Sequence, residues 1–223
     1  MTQSKYHSMY ELVSMIDEPN RSKIMELIRV NLPTLLASYG SVHNHQAWPG
    51  GWWDHTVAVM NRAVLWYPDP RPHTFSLSDA LLVLFFHDIE KPWKYKHDDD
   101  GRLVHRHGMV TKAGHQRFRM GIIRDFEIEL TPEHENGIMY AEGELEGYSN
   151  RKRISGELAG FAHCCDHYVA RVQHQYPLAN NDPWKGAHRI ASDDGTDHAE
   201  YLARFEANVD QMVADMLEAG KTY

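Results

Sequence analysis

Apolar residues recur at helical spacing along most of the chain. Met9, Leu12, Val13 and Ile16 share one face of a segment over 4–18, and Ile24, Leu27, Ile28 and Leu35 share one over 21–38, with Glu18-Pro19-Asn20 breaking the two apart. After the turn signal Trp48-Pro49-Gly50-Gly51, a helix is expected from Trp52 to Trp66, ending before the proline-rich run 67–72. Ser76 or Ser78 can cap the next helix, which carries six unbroken apolar residues from Leu81 to Phe86 and continues towards Lys91, where Pro92 discourages extension. Asp100-Gly101 lies between two short segments able to pair, which predicts a small hairpin over 93–106. Helices follow over 112–124, from Thr131 with Pro132 at its first position, and over 154–175, with loops at 143–150 and 178–196. A last helix carries Leu202, Phe205, Val209, Met212, Val213 and Met216 on one stripe, suited to core packing or to a homo-oligomer interface. No repeat, low-complexity tract or linker interrupts this order, so the pattern predicts an all-α fold with one small β-hairpin, built as one domain over 1–223.

Composition narrows the function classes. The 223 residues are 42% hydrophobic, enough for one packed core, and the formal net charge is -8. That balance argues against a chain that coats nucleic acid, since phosphate neutralisation needs clustered Lys and Arg, yet a local basic pocket for a small anion is compatible with it. Cys164 and Cys165 are neighbours and poorly placed to bridge each other, which suits a reducing compartment. With no signal-like N-terminal segment and an apolar run too short to cross a bilayer, a cytoplasmic protein with no membrane partner is expected. The 16 histidines cluster as His43 with His45, His105 with His107, and His163 with His167, a pattern that serves either as metal ligands or as solvated surface.

The stretch Leu81 to Trp93 runs from apolar residues straight into His87 and Asp88, both costly to bury. The two make chemical sense together if they point at one cation, which compensates the carboxylate while neutral imidazole adds a second donor. Adjacent residues lie about 100° apart around a helix, so they converge only near a helix end or with the metal between them. Taken alone, the pair could equally cap the helix. Upstream, His55 falls on the first turns of the preceding helix, and downstream Asp166 sits in the middle of another.

The order His55, His87-Asp88, Asp166 on successive helices resembles the HD-domain superfamily of metal-dependent phosphohydrolases. Gly50-Gly51 leading to His55-Thr56 resembles the segment around the first ligand of that family, and His87-Asp88-Ile89-Glu90-Lys91-Pro92 resembles its His-Asp-Ile-Gly-Lys-Pro motif. The resemblance covers about 41–171. It implies an HD-type helical bundle in which His55, His87, Asp88 and Asp166 hold one divalent cation, which Mn, Co, Mg, Fe, Ni or Zn could each supply. The implied activity is hydrolysis of a phosphoester or phosphoanhydride bond of a nucleotide, the cation polarising a phosphoryl oxygen and acidifying a water. Lys91 would reach for phosphate, although a lysine is also favourably placed at a helix C-terminus.

Several further residues are candidates of a lesser kind. His115 matches the first of two extra histidines that build a second metal site in some members, whereas Ala141 stands at the second, with Glu142 or His134 as substitutes. His115 could instead act as a general acid. Glu90 replaces the usual glycine and could position a water or be a surface carboxylate. His43, His45, Glu142 and Arg153 are candidate substrate contacts, as is Trp52, an aromatic that could stack on a base or belong to the core. The run His163-Cys164-Cys165-Asp166-His167 is not read as a zinc site, because adjacent helical residues cannot all face one metal. Competing functions are an HD-type exonuclease or phosphodiesterase acting on RNA or cyclic nucleotides, an HD-type di-iron oxygenase, and an inactive HD fold used for binding.

Overall fold

Ser8 sets the start of the first helix. Its hydroxyl and the Glu11 carboxylate form a reciprocal capping box, and α1 runs Met9–Ser14. In the computed structural model, which describes residues 4–97, 100, 102–105, 109–144, 149, 151, 153–178 and 182–190, the expected helix over 4–18 is therefore shortened at both ends. The competing partner at its N-terminal side is backbone: the Tyr6 N–H donates to the Lys185 carbonyl at 2.8 Å, in a parallel bridge between Lys5 and Lys185. The segment 182–190, expected as part of a polar loop, sends Ala187 and Ile190 into the core.

α2 (Asn20–Ala37) follows the predicted span and contains Pro33. α3 (Gly51–Trp66) is buried on nearly every side from Gly51 to Ala63, and α4 (Leu77–Phe86) buries everything from Ala80 onward, which accounts for its unbroken apolar run. Ser76 and Asp79 form the capping box of α4. The helix stops at Phe86, earlier than expected. From there the chain tightens: the Ile89 N–H donates to Phe86 O and the Lys91 N–H to Asp88 O. A one-turn α5 (Lys91–Lys94) leads into the hairpin, where β1 (Tyr95–His97) pairs antiparallel with β2 (Leu103–His105) in the register Tyr95 to His105 and His97 to Leu103.

α6 (Lys112–Asp125) is capped by Thr111, and α7 (Pro132–Tyr140) by the Thr131 capping box with Pro132 at its start. α8 (Glu157–Val172) begins three residues later than the pattern predicts, because the Ile154 and Ser155 N–H groups donate to the Glu144 carboxylate instead of entering the helix. α3, α4 and α8 pack against one another, α7 covers α4 and α8, and α1 and α2 cover α3. Gly137 marks the tightest point between α7 and α4, since a Cβ there would lie 2.8 Å from a Val83 methyl. The core gathers Trp52, Phe85, Phe86, Leu12, Ile28 and Leu35. The expected C-terminal helix over 202–216 lies outside the described residues. Among those described, no helix is long and apolar enough to cross a membrane.

Candidate metal centre

The three mutually packed helices each deliver candidate ligands to one point. α3 presents His55 from its first turns, α8 presents Asp166 from its middle, and the end of α4 supplies His87, its C-cap residue, and Asp88 in the following turn. One donor atom from each of the four lies within 4.8 Å of every other. His55 Nε2 is 3.1 Å from Asp166 Oδ1 and 3.7 Å from Asp88 Oδ2; His87 Nε2 is 3.2 Å from Asp88 Oδ2 and 3.7 Å from Asp166 Oδ1. Donors held about 2.0–2.2 Å from a first-row divalent cation lie about 3.0–3.5 Å apart, so the spacing suits one shared ion.

The environment fits a cation as well. His55, His87 and Asp88 are buried, and Asp166 alone is partly exposed, which gives the group one open side. The His87 Nδ1–H donates to the Leu84 carbonyl at 2.6 Å, leaving Nε2 with its lone pair towards the group. His87 Nε2 and Asp88 Oδ1 are buried atoms without a hydrogen-bond partner, an arrangement that costs free energy unless a bound group satisfies them. Burial alone would lower the His87 pKa, but Asp88 and then Asp166 reverse this and raise it to about 10. Burial likewise works against the Asp88 carboxylate, which Lys91 and His87 nevertheless hold well below the ordinary range. The cluster therefore holds positive charge tightly, whether as a proton or as a cation shared by four donors.

Lys91 and His45 complete the neighbourhood. Lys91 Nζ lies 2.5 Å from Asp88 Oδ2 and donates to His45 Nε2 at 3.4 Å. Burial, with the charges of His55 and Lys91, lowers the His45 ring to about 3, so it is neutral and able to accept that bond. His43, on the same loop, is exposed and lies outside the donor group.

Other predicted site residues take different places. Trp52 is fully buried, in keeping with the core alternative of its two readings: its indole N–H donates to the Asp88 carbonyl at 2.9 Å and supports that turn from behind. Glu90 is neither a surface carboxylate nor open to water. It is buried against Arg119, whose Nη2 and Nε reach Glu90 Oε2 at 3.0 and 3.1 Å while Nη1 donates to the Ile138 carbonyl. Arg153 is exposed and lines a cavity with Asp79 and His134 at the N-terminal end of α4, about 15 Å of helix away from His87. His134 belongs to that far end too, 2.8 Å from Asp79 Oδ1, and so does not replace a ligand here.

His115 and Glu142 share a separate cavity of about 460 Å3 with Arg119 and Tyr140, where His115 Nε2 is 3.0 Å from the Met109 carbonyl. Neither belongs to the four-residue donor group, which is the one such group among the described residues. In the histidine- and cysteine-rich run of α8, the His163 Nδ1–H donates to the Ala141 carbonyl, Cys164 is exposed and Cys165 is buried, so the run does not form a zinc cluster. Sequence reasoning missed Gln46, whose amide meets His55 Nδ1 at 3.1 Å, and Arg119; neither sits in a motif, and both find their partners only through the fold. The chain matches no known protein-family model, no curated protein and no solved structure.

Proposed function

We propose that this chain is a metal-dependent phosphohydrolase of the HD-domain superfamily, cleaving a phosphoester or phosphoanhydride bond of a nucleotide. The observation that carries the reading is the buried group of His55, His87, Asp88 and Asp166 with Lys91 against it. Two carboxylates balance a divalent cation, so Lys91 leaves the mouth of the site with one net positive charge, which favours an anion there. Bound among these donors, the cation supplies Lewis acidity towards a phosphoryl oxygen and a water.

The protein's own groups do the remaining work. His87 offers Nε2 because its other nitrogen is committed to Leu84 O, and Asp88 is aimed by Trp52 through its carbonyl. Lys91 Nζ, steered by neutral His45, neutralises charge that grows on the phosphoryl oxygens during attack. Burial of three of the four ligands keeps bulk water off the donor set and strengthens each of these interactions. The partly exposed Asp166 marks the side from which substrate enters. The choice of a nucleotide rests on the likeness of the motifs around His55 and His87 to HD hydrolases, and the acidic net charge of -8 supports a small substrate over a polynucleotide.

The reading is tested by stripping the protein of metal and screening ribo- and deoxyribonucleoside mono- and triphosphates with Mn, Co, Mg, Fe, Ni and Zn added singly. Phosphate, pyrophosphate and triphosphate release are followed separately. Metal-dependent release that Asp88→Ala abolishes is the expected result. Full metal-dependent activity in Asp88→Ala, or silence over the whole panel, would reject it.

A further inference from the structure

Gln46 is a fully buried glutamine at a backbone φ of 39°, a region that residues with a Cβ seldom occupy. Its main chain is held on both sides: the N–H donates to His174 O at 2.8 Å, and the carbonyl accepts from the Gly40 N–H at 3.1 Å. The same carbonyl presses on Gly51, where an added Cβ would lie 1.8 Å from it, so the turn before α3 closes only over glycine. The fold thus accepts backbone strain and a tightly restricted glycine to put one amide side chain at this point.

The orientation of that amide follows from its partners. Gln46 Nε2 donates to two backbone carbonyls, Gln173 O at 3.0 Å and Tyr176 O at 3.1 Å. Rotating the amide by half a turn would set its oxygen against both, so the nitrogen must face them. Gln46 Oε1 therefore faces His55 Nδ1 at 3.1 Å, and since this oxygen only accepts, Nδ1 must carry the proton. His55 Nε2 is left as the nitrogen with a lone pair, and it is the atom that lies 3.1 Å from Asp166 Oδ1 inside the donor group. The support has a second layer: Arg62 Nη2 donates to Gln173 Oε1 at 2.8 Å, and its guanidinium stacks 4.4 Å over the Tyr168 ring.

We infer that Gln46 is a positioning residue of the metal centre, which fixes His55 in the tautomer that offers Nε2 to a divalent cation, and that Gln173 and Arg62 hold Gln46 to that task. The inference rests on His55 being a metal ligand and is independent of any hydrolytic activity. It goes beyond the ligand set, because it ties a loop and the segment after α8 to the affinity of a site to which they supply no ligand.

Zinc is the probe, titrated into metal-stripped full-length protein against a chromophoric chelator, with imidazole N–H exchange followed by NMR in the zinc-loaded state. The wild type should bind one zinc per chain and show an exchange-protected His55 Nδ1–H. Gln46→Met, which keeps the volume and removes the acceptor, should weaken zinc binding about 10- to 100-fold and lose the protection. Gln46→Glu keeps an acceptor for Nδ1–H while losing both donors, so it should lower thermal stability yet retain zinc affinity far better than Gln46→Met. Equal loss of affinity in both variants, or none in Gln46→Met, would overturn the inference and leave Gln46 a structural residue. If neither variant folds, the wild-type spectrum decides, and an unprotected His55 Nδ1–H counts against it. A wild type that binds no zinc, nor any other divalent ion, rejects the metal centre itself, an outcome distinct from the others.

Discussion

At the scale of single residues, a buried charge in this protein is safe only with its partner. Glu90 and Arg119 are each almost fully buried and meet at 3.0 Å, so removing either strands the other. Glu90→Ala or Arg119→Ala alone should cost about 3–5 kcal/mol by denaturant unfolding, while the double change to Leu and Met should recover most of it. Gly51→Ala should be as damaging for a steric reason, since its Cβ meets Gln46 backbone rather than a flexible side chain; a loss at or above the usual ~1–3 kcal/mol of overpacking is expected, along with weaker metal binding. These residues also show where reading the sequence stops. The His-Asp pair was legible because two costly residues end an apolar run, and Gly51 because two glycines mark a turn. Glu90 looked like a departure from a motif until Arg119, 29 residues away, was found beside it. Trp52 could be core or substrate platform on sequence grounds, and only burial decides between them. Gln46 carries no signal at all, since an isolated glutamine becomes informative through the carbonyls it meets more than 120 residues later.

At the scale of elements, some helix starts set by local caps were readable, the Ser8 box of α1 was not, and neither were those set by partners outside the helix. Ser76, Thr131 and Pro132 mark their starts in the sequence, and the hairpin announced itself through Asp100-Gly101. The start of α8 is displaced by Glu144, and residues ahead of α1 are drawn away by Lys185; such partners are distant in sequence and leave no local trace. α4 shows what a good cap is worth, because Asp79 both accepts from the Ser76 N–H and faces His134 at 2.8 Å. Asp79→Ala should cost about 1 kcal/mol or somewhat more, most of it the cap, since the contact with His134 is partly solvated. Burial works against the Asp79 carboxylate, but Ser76 and His134 lower its pKa below the ordinary 3.8. Its stabilisation is therefore present above that value and lost as pH falls through the lowered one. The wild-type melting temperature should drop on acidification below about pH 4, and Asp79→Ala should flatten that limb of the curve.

At the scale of the whole molecule, the candidate ligands come from three helices whose mutual packing is the core, so a cation would bridge residues 55, 87, 88 and 166 across about half the chain. An ion that binds only the folded state at 100 times its dissociation constant adds about 2.7 kcal/mol. Chelation should therefore lower the melting temperature by roughly 5–10 °C in scanning calorimetry, and Asp88→Ala should be insensitive to chelator. The stabilisation should also weaken as pH falls below about 10, because the ion must then displace a proton from His87. The overall helical class and the gathering of four candidate ligands were within reach of the sequence, because apolar periodicity and motif order are properties of the chain itself. What closes around the ligands was not, and it bears on time as well as on affinity. With three ligands buried and Asp166 alone partly exposed, exchange of a bound ion should take place on the timescale of local opening of α8 against α3. The metal carried by freshly purified protein would then be a memory of the medium in which the chain folded, and the half-life of its release into excess chelator is the clock that reads it.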